Sequence, residues 1–406
     1  MAKKKQLFKL LRMLLVGVLA VCLVLVAAIY LISGGFMKQT YLEPWSKSYA
    51  ANEADPRVRL AASGLLAASS HNMQPWKIKL DASDPMAFYL YADSARMTKE
   101  VDPDARQMMI SQGTFLEYVA VAGEKNGWRV AITLFPNGEY DEANLAKSMD
   151  AKPVAKVLLS KADAPKDATT NSALYGAIFL PDTNRSAYEA APLTPVQADT
   201  IAALPCPGGV AIKLYQTEQD VKQIGDYAMQ SAAIEAGVGR VMDEAGAIFR
   251  ANEYQKDQYR YGYSVEGQGT SGFMKHILQG LVTLFPGMNR GSAATKTFIS
   301  ATQTSVDSTP AYAMIVTAGN TRTQQIESGM LYSRLVLSGH TLGLAMQPLS
   351  QVLEEYPEMH ALYTAFKQQY APSGGTVQLL FRVGTPTKPT PLTMRRDVQS
   401  LLWGNA

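Results

Sequence analysis

An uncharged apolar run near the start of the chain constrains the fold most. It extends from Met13 to Ile32 and matches the ~20 residues that a helix needs to span a bilayer. Every charged side chain before it is basic: Lys3, Lys4, Lys5, Lys9 and Arg12. Because positive charge stays on the cytoplasmic side, we predict a basic cytoplasmic N-terminus over 1–12, a transmembrane anchor over 13–33 and an extracytoplasmic C-terminal part.

The same run could also be a cleaved secretion signal. It is longer than the roughly 7 to 15 apolar residues of such signals, and Ser33-Gly34-Gly35 makes a weak processing site. We favour an uncleaved signal anchor, which predicts a single-pass protein of the inner or plasma membrane whose C-terminal domain lies in the periplasm or an equivalent space. Residues 34–54 would then be a linker.

Charge and composition disfavour several classes of function. Residues 1–34 hold five basic and no acidic side chains, so the formal net charge of +3 less five gives −2 for the rest. Nucleic acid is therefore not an expected partner. Cys206 is the only cysteine beyond the anchor, and the four histidines form no His-Glu-x-x-His motif. A thiolate cluster is excluded, and a zinc enzyme is not indicated.

The exported part divides into two halves with a related order of elements. In the first half, over 55–165, two Asp-Pro pairs indicate helix starts and alternating apolar residues predict strands. The predicted elements are a helix after Asp55-Pro56, strands over 76–80 and 88–91, a helix from Asp102-Pro103 to Asn126, and strands over 128–134 and 154–159. Small polar residues over 162–171 mark the boundary.

The second half, over 172–406, shows a similar series. The predicted elements are helices over 172–179 and 195–204, a strand over 210–214, a helix from Thr217, a strand over 311–316, a helix over 323–342 and a strand over 376–383. Residues 253–304 are the least regular stretch. Their glycines and the apolar segment 273–285 predict a mobile flap.

Four identities at one spacing indicate an internal duplication. Each pair is offset by 216 positions: Ile110 with Ile326, Gly113 with Gly329, Gly123 with Gly339, and Gly127 with Gly343. Chance could produce four such matches. A shared structural role is a physical alternative, because glycines on a helix face let two helices approach closely. We predict tandem half-domains packed on each other, and hence a monomer.

Two motif strings lack the context that their chemistry needs. Residues 267–272 match G-x-G-x-x-G, but no apolar strand precedes them and no acidic residue follows about 20 positions later, so a dinucleotide site is not predicted. No Gly-x-Ser-x-Gly elbow is present, which argues against a serine hydrolase.

Three polar clusters remain as candidate sites. The first is the loop 67–76, with two hydroxyls, an imidazole, two carboxamides and an indole; the others are 182–186 and 393–397, which carry guanidiniums beside hydroxyl groups. Each could be no more than an exposed turn or a helix cap. Together they would supply phosphate, ribityl and ring contacts for one flavin nucleotide.

The clusters resemble one family. Ala68-Ser69-Ser70-His71-Asn72-Met73-Gln74-Pro75-Trp76 resembles the Ala-Pro-Ser-x-x-Asn-x-Gln-Pro-Trp motif of the nitroreductase superfamily. Thr183-Asn184-Arg185, the helix-to-loop segment 343–349 and the tail 382–396 resemble its Acg-type branch, in which one chain mimics the usual homodimer. The resemblance implies an α+β nitroreductase-like fold, with two tandem halves forming an internal pseudo-dimer and FMN between them.

The resemblance also implies which residues bind the cofactor. The loop residues would contact the flavin, Thr183 and Arg185 with the tail arginines would hold the phosphate, and the segment from Pro348 would lie beside the ring. The predicted cofactor-binding set is Ser69, Ser70, Asn72, Gln74, Thr183, Asn184, Arg185, Pro348, Leu349, Ser350, Arg395 and Arg396. No catalytic acid or base is predicted, because the flavin itself carries hydride chemistry.

One departure from the family pattern keeps three functions open. The family has two arginines before Thr-Asn-Arg, whereas this chain has Pro181 and Asp182, and a carboxylate there would weaken phosphate binding. The first function is a membrane-anchored FMN oxidoreductase for small electron-poor substrates. The second is FMN sequestration without turnover, since nicotinamide donors are scarce outside the cytoplasm. The third is an interaction module without FMN.

Overall fold

The computed structural model describes residues 2–162 and 168–404. The helices of its first part are α1 (Ala2–Ile32), α2 (Lys47–Ala51), α3 (Pro56–Gly64), α4 (Arg106–Lys125), α5 (Leu145–Ala151), α6 (Ala168–Ala177) and α7 (Pro195–Ala202). The later helices are α8 (Glu218–Gly237), α9 (Gly239–Ala247), α10 (Glu253–Tyr259), α11 (Gly272–Leu284), α12 (Gly291–Asp307), α13 (Arg322–Thr341) and α14 (His360–Tyr370).

Eight strands complete the fold. They are β1 (Trp76–Leu80), β2 (Ala87–Ala92), β3 (Trp128–Leu134), β4 (Ala155–Lys161), β5 (Val210–Tyr215), β6 (Ala311–Thr317), β7 (Ala345–Pro348) and β8 (Thr376–Gly384). They form two four-stranded antiparallel sheets with the orders β1-β2-β4-β3 and β5-β6-β8-β7. Because each strand in one sheet has a counterpart at the same place in the other, the predicted architecture of two tandem halves is confirmed.

Helix α1 is separate from this body over most of its length. The stretch Lys4–Ile32 is the one candidate among the described residues that is long and apolar enough to cross a membrane, judged by length and composition. Its apolar side chains are exposed from Leu7 to Val26. Residues 13–32 of the predicted anchor therefore lie within one continuous helix, which ends one residue before Ser33.

The halves meet where α4 crosses α13 at a pair of glycines. A methyl group on Gly113 would lie 1.9 Å from the Ile326 carbonyl oxygen, and one on Gly329 would lie 1.9 Å from the Ile110 carbonyl oxygen. These residues are two of the pairs offset by 216 positions. Their contact is reciprocal, as expected for an interface across a pseudo-twofold axis.

The other two glycine pairs also occupy matching places. A Cβ on Gly123 would meet Val130 of β3 at 2.2 Å, and one on Gly339 would meet Met346 of β7 at 3.1 Å. Gly127 and Gly343 follow α4 and α13 with φ values of 76° and 73°, a left-handed conformation that favours glycine after a helix. The 216-residue offset therefore reflects shared structural roles.

The last residues of the chain return to the first half. Trp403 donates its backbone N–H to the Ile78 carbonyl at 2.8 Å, and Val398 and Leu401 are buried in the core of the first half. This crossing carries the 393–397 cluster over to the 67–76 loop. The predicted limits of the halves stay predictions, and the end of the first half at residue 165 lies outside the described residues.

The predicted linker over 34–54 is folded. It contains a 3₁₀ turn over Thr40–Trp45 followed by α2. Tyr41, Trp45 and Ala50 are buried, and the Trp45 indole donates to the Thr393 carbonyl at 2.7 Å. This stretch therefore packs against the first half, with Trp45 and Ala50 in its core, and its role as a linker stays a prediction.

The stretch expected to be least regular, 253–304, is mostly helical. It contains α10, α11 and part of α12, joined by 3₁₀ turns over Val265–Gln268 and Pro286–Asn289. Glycine residues between short helices hide the helical periodicity from a sequence reading. The G-x-G-x-x-G string spans the first of these turns and the start of α11, without a preceding strand.

One helix start and one element type also differ from the prediction. The helix expected from Asp102-Pro103 begins at Arg106, although the Asp102 carboxylate still accepts hydrogen bonds from the backbone N–H groups of Gln107 and Met108. The segment 343–349, expected as a loop, contains the edge strand β7. Four residues are too few to show strand alternation.

We predict that Gly113→Ala destabilises the protein by about 1–3 kcal/mol or more, because the added methyl overpacks a backbone contact. Gly246→Ala is the matched control, since it lies within α9 with no atom within 4 Å of an added Cβ. The control should be neutral or stabilising by up to about 1 kcal/mol. Denaturant unfolding in detergent measures both changes. Equal stability of the two variants would contradict the close crossing of α4 and α13.

Candidate functional site

The loop between α3 and β1 is held in an unusual backbone conformation. His71, Asn72 and Gln74 have φ values of 51°, 53° and 50°, a left-handed region in which residues other than glycine are uncommon. Such conformations persist only where surrounding contacts impose them, and they cluster at functional sites. The strained loop coincides with the motif-bearing stretch of the sequence.

The two carboxamides of this loop bind the segment 260–267, which we call the cover segment. Asn72 donates through Nδ2 to the Gly262 carbonyl at 2.9 Å, and Gln74 donates through Nε2 to the Arg260 carbonyl at 2.8 Å. Gln74 is 0% exposed. Asn72 and Gln74 were both predicted to contact the flavin. In the structure their side chains bind main-chain carbonyls and hold the cover segment over the loop.

Arg395 and Arg396 hold the same loop from the other side. Arg395 donates to the Asn72 Oδ1 at 3.0 Å and to the Leu66 carbonyl at 2.8 Å, with its guanidinium over the Trp45 ring. Arg396 donates to the Gln74 and Trp76 carbonyls, each at 3.0 Å. Burial lowers the pKa of Arg395 to about 10 and that of Arg396 to about 9. Both arginines therefore hold the loop, whereas the resemblance implied that they bind the phosphate.

Asp182, the departure from the family pattern, also supports the loop. Its carboxylate accepts the Ala68 backbone N–H at 2.7 Å and the Tyr118 hydroxyl. Burial raises the pKa of Asp182 to about 6, while the Tyr118 hydrogen bond and the charge of Arg395 act to lower it. The carboxylate that departs from the family pattern therefore holds the loop, through Ala68 and Tyr118.

The Thr183-Asn184-Arg185 segment is tied to β7. Thr183 forms an isolated bridge with Met346, and the Asn184 N–H donates to the Met346 carbonyl at 3.0 Å. The side chain of Asn184 donates to the Lys388 carbonyl at 2.9 Å. This pairing fixes the position from which Arg185 projects.

Arg185 is the most available cation of the candidate site. Its side chain is accessible, yet protein surrounds it closely enough that burial lowers its pKa, with the Tyr332, Tyr188 and Tyr263 hydroxyls acting in the opposite direction. It donates to the Gly267 carbonyl at 3.0 Å. Among the described residues no carboxylate lies within ion-pair distance of it. An accessible guanidinium with a single carbonyl partner is well suited to an anion.

Ser70 and His71 lie beside Arg185. Burial first, and then the charge of Arg185, lower the pKa of His71 to about 4, so the imidazole is neutral at pH 7. Its Nδ1 is 3.0 Å from the Ser70 hydroxyl, which donates to the Gln107 side-chain oxygen at 2.8 Å. Ser69 accepts the Gln74 backbone N–H at 2.9 Å. The structure therefore brings two of the predicted clusters together, the loop 67–76 and the segment 182–186 that contains Arg185.

The residues predicted beside the flavin ring are bound to β8. Pro348 pairs with Phe381, the Leu349 N–H donates to the Leu380 carbonyl at 2.9 Å, and the Ser350 hydroxyl donates to the same carbonyl at 3.0 Å. Helix α4 contacts both regions: Arg106 donates to the Leu353 carbonyl at 2.6 Å, and Gln107 accepts from the Ser70 hydroxyl of the loop.

A cavity of about 190 Å³ lies against the two chain neighbours of Arg185. It is lined by Asn184, Ser186, Gly269, Ser271, Lys388, Pro389 and Thr390. Complete cofactor pockets measure roughly 300–1,000 Å³, so this space suits a phosphate or ribityl group and is too small for a whole flavin nucleotide. Lys388 was missed by the sequence reasoning, which had no motif to connect it with residue 184.

A buried pair of carboxyl groups lies close to the cover segment. Glu235 of α8 and Glu354 each have an unpartnered buried oxygen. Burial raises the pKa of Glu235 to about 8, and burial together with the charge of Glu235 raises the pKa of Glu354. Tyr263 is close enough to be influenced by both Glu235 and Arg185. The pair holds a proton at neutral pH, and a sequence reading could not find it because the two residues are far apart in the chain.

Comparison with known proteins identifies relatives along most of the chain. No protein-family model matches it. Rv3131 of Mycobacterium tuberculosis strain ATCC 25618 / H37Rv carries the name of an NAD(P)H nitroreductase and is 25% identical over 347 residues, which cover 83% of this chain and 88% of the relative. The protein MT3217 of strain CDC 1551 / Oshkosh, named in the same way, shows the same values. The resemblance predicted from the motifs is confirmed at the level of the superfamily.

Solved structures show weaker similarity. A BluB-like flavoprotein from Clostridium difficile 630 covers 56% of this chain and 96% of its own at 11% identity, with a TM-score of 0.30. A structure described as a nitroreductase from Anabaena variabilis ATCC 29413 covers 79% and 82% at 11% identity, with a TM-score of 0.35. Scores this low carry no argument about the site.

We predict that the buried carboxyl pair makes stability fall as the pH rises. Unfolded Glu235 loses its proton near pH 4.5, whereas the folded form keeps it until about pH 8, so folding is penalised progressively between these values. The thermal midpoint of Glu235→Gln should therefore fall less than that of the unmodified protein between pH 5.5 and pH 8.5. Glu189→Gln, which changes an exposed carboxylate, is the control. Parallel pH curves for all three proteins would refute the assignment.

Proposed function

Because the chain is a member of the nitroreductase superfamily, we propose that it is a membrane-anchored, extracytoplasmic FMN-binding oxidoreductase that reduces small electron-poor substrates. The observation that carries the proposal is Arg185, an accessible guanidinium without a carboxylate partner among the described residues. It lies beside a neutral imidazole, and its chain neighbours Asn184 and Ser186 line a small cavity. The membrane placement rests on Lys4–Ile32 and on the basic residues that precede it.

The donor groups around Arg185 fit a flavin nucleotide at its phosphate end. The Arg185 guanidinium is a group that proteins use for phosphate, as are the ammonium of Lys388 and the hydroxyls of Ser186 and Ser271, three residues that line the cavity. Ser70, His71 and Gln107 offer further polar contacts for the ribityl chain. In this proposal Thr183 and Asn184 position Arg185, and Asn72, Gln74, Arg395 and Arg396 position the loop.

Bound FMN would supply hydride chemistry that no side chain provides. The protein's own part is to bind, orient and exclude water. The cover segment closes the site through Asn72, Gln74 and Arg185, which limits access to solvent. The buried pair of Glu235 and Glu354 retains a proton at neutral pH, and Glu235 is our candidate source for the proton that must accompany a hydride.

The closed cover segment specifically favours a second candidate function, FMN sequestration without turnover. Asn72, Gln74 and Arg185, which bind this segment, all belong to the predicted cofactor-binding set, so closing the cover engages the residues of the proposed site. Glu266 of the segment is also paired with Lys256 and Lys275. A protein that stores flavin needs slow exchange, and a cover held by these contacts supplies it.

We predict that Arg185→Ala weakens FMN binding. Loss of a charge-assisted contact costs about 1.5–3 kcal/mol, equivalent to a rise in Kd of roughly 10- to 150-fold. Fluorescence titration of the purified full chain with FMN measures the change. Arg185→Lys should recover only part of the affinity because it loses the planar fork, and Lys147→Ala, an exposed lysine on α5, is the control. An unchanged Kd for Arg185→Ala would remove this residue from the site.

We predict that flavin bound to the protein can be reduced and can pass its electrons to a small nitroaromatic compound. The test mixes the FMN-loaded protein anaerobically with reduced nicotinamide, and separately with mediators fed by dithionite, while absorbance near the flavin band is followed. Bleaching followed by recovery on addition of the nitroaromatic supports the oxidoreductase. Flavin that stays yellow with every donor supports sequestration, and a protein that takes up no FMN contradicts both.

A further inference from the structure

An exposed apolar surface lies at the end of α1. Phe273 and Phe285 are 57% and 59% exposed, and Phe36 is 79% exposed. We call this surface the α11 face; its exposed members are Phe36, Phe273, Met274, Leu284, Phe285 and Met288. Isolated exposed apolar residues are ordinary on protein surfaces, whereas a cluster of this kind indicates an interaction site.

The polarity of α11 is inverted relative to a helix on a water-exposed surface. Its buried residues are Lys275, His276, Gln279 and Gly280, while its exposed ends carry phenylalanine, methionine and leucine. Surface helices of soluble proteins place apolar residues inward and polar residues outward. The arrangement of α11 suits an environment less polar than the protein that it covers.

A buried ion cluster explains the polar inner side. Lys275 lies 3.0 Å and Lys256 lies 2.6 Å from the Glu253 carboxylate, which also accepts from Gln279 at 3.1 Å. Burial acts to raise the pKa of Glu253, but the charge of Lys256 and hydrogen bonds from Lys256 and Tyr41 bring it down to about 2. The ions fix which side of α11 faces inward, so the apolar side cannot turn toward the core.

The α11 face begins where the apolar run of α1 ends. A Cβ on Gly280 would lie 2.4 Å from the Ile29 carbonyl oxygen, so the two helices are in close contact. The Ser33 hydroxyl lies 3.1 Å from His276 Nδ1, and the rings of Tyr30 and Phe273 stack at 5.9 Å. Helix α11 is therefore fixed at the end of the membrane-spanning stretch, where a bilayer's acyl chains give way to headgroups.

We propose that the α11 face is a lipid-binding surface that seats the domain on the outer leaflet of the membrane. The occupant is the bilayer itself, because α11 packs against the last turns of α1, whose apolar residues are exposed from Leu7 to Val26. Apolar residues of interfacial helices bury about 5–10 Å into the boundary between headgroups and acyl chains. The proposal rests on the membrane anchoring in the proposed function, and it adds a second attachment that sets the orientation of the domain.

Site-directed fluorescence of the full chain in vesicles tests the proposal. On a Cys22→Ala, Cys206→Ser background, an environment-sensitive dye is attached at Met274→Cys or Met288→Cys. Leu19→Cys in α1 is the reference for a membrane position, and Val196→Cys, 69% exposed on α7, is the reference for an exposed apolar residue away from the face. The vesicles contain phosphatidylcholine and phosphatidylglycerol, with either doxyl-labelled lipid or aqueous iodide as the quencher.

The expected result is at least twofold more quenching by doxyl lipid at 274 and 288 than at 196, with reduced quenching by iodide. The proposal is overturned if doxyl lipid quenches the dye at 274 and 288 no more than at 196 while it does quench the dye at 19. That result leaves the membrane anchor intact. Protection of 274 and 288 from both quenchers identifies a protein occupant, such as a second copy, and also overturns it. Absence of lipid quenching at 19 overturns the anchoring and the lipid face together.

Discussion

The close crossing of α4 and α13 is the contact on which the rest of the structure depends. Gly113 and Gly329 let two helix backbones touch, and neither position tolerates a side chain. Because α4 carries Arg106 and Gln107 at its start and Tyr118 further along, its placement against α13 also sets where the site residues of the first half meet the second half. A shift of this crossing would separate Arg106 from the Leu353 carbonyl and Tyr118 from Asp182.

The site built on this crossing uses its charged groups mainly to hold backbone. Arg395, Arg396 and Asp182 are all buried, and all three bind main-chain groups of the loop between Leu66 and Trp76. Burial of charge is costly unless hydrogen bonds satisfy it, and here the strained loop supplies the carbonyl acceptors. The loop and its buried ions are therefore mutually dependent, which leaves Arg185 as the cation free to meet an anion.

Residue patterns predicted much of this fold because several signals were local. The strand Trp76–Leu80, the helix ending before Gly127 and the loop motif were each visible in a few consecutive residues. The offset of 216 positions also identified Gly113 and Gly329, the two glycines at the contact between α4 and α13. Other features depend on contacts between residues far apart in the chain. They are the carboxyl pair of Glu235 and Glu354 and the contact of Asn184 with the Lys388 carbonyl. Strand β7 is a third case, because its four residues form a strand by pairing with β8.

The polarity of α11 was hidden for a different reason. A sequence reading assumes that apolar residues face a protein core, so the segment 273–285 was interpreted as the part of a flap that closes on a ligand. The structure instead places Lys275, His276 and Gln279 inward. Glu253 of α10 accepts from Lys275 and Gln279, Glu266 pairs with Lys275, and Ser33 contacts His276. No local pattern indicates that a lysine will be the buried member of its helix.

The hydrogen bonds of the cover segment set a scale for how the site can operate. The loop and Arg185 bind the segment through the side chains of Asn72, Gln74 and Arg185. Further along the segment, Glu266 is paired with Lys256 and Lys275. Breaking one partner of a buried ion pair costs about 3–5 kcal/mol, whereas each neutral hydrogen bond contributes about 1 kcal/mol. Release of Arg260–Gly262 from the loop is therefore much easier than opening of the whole segment, so a substrate can be admitted at the loop while the rest of the cover retains a flavin.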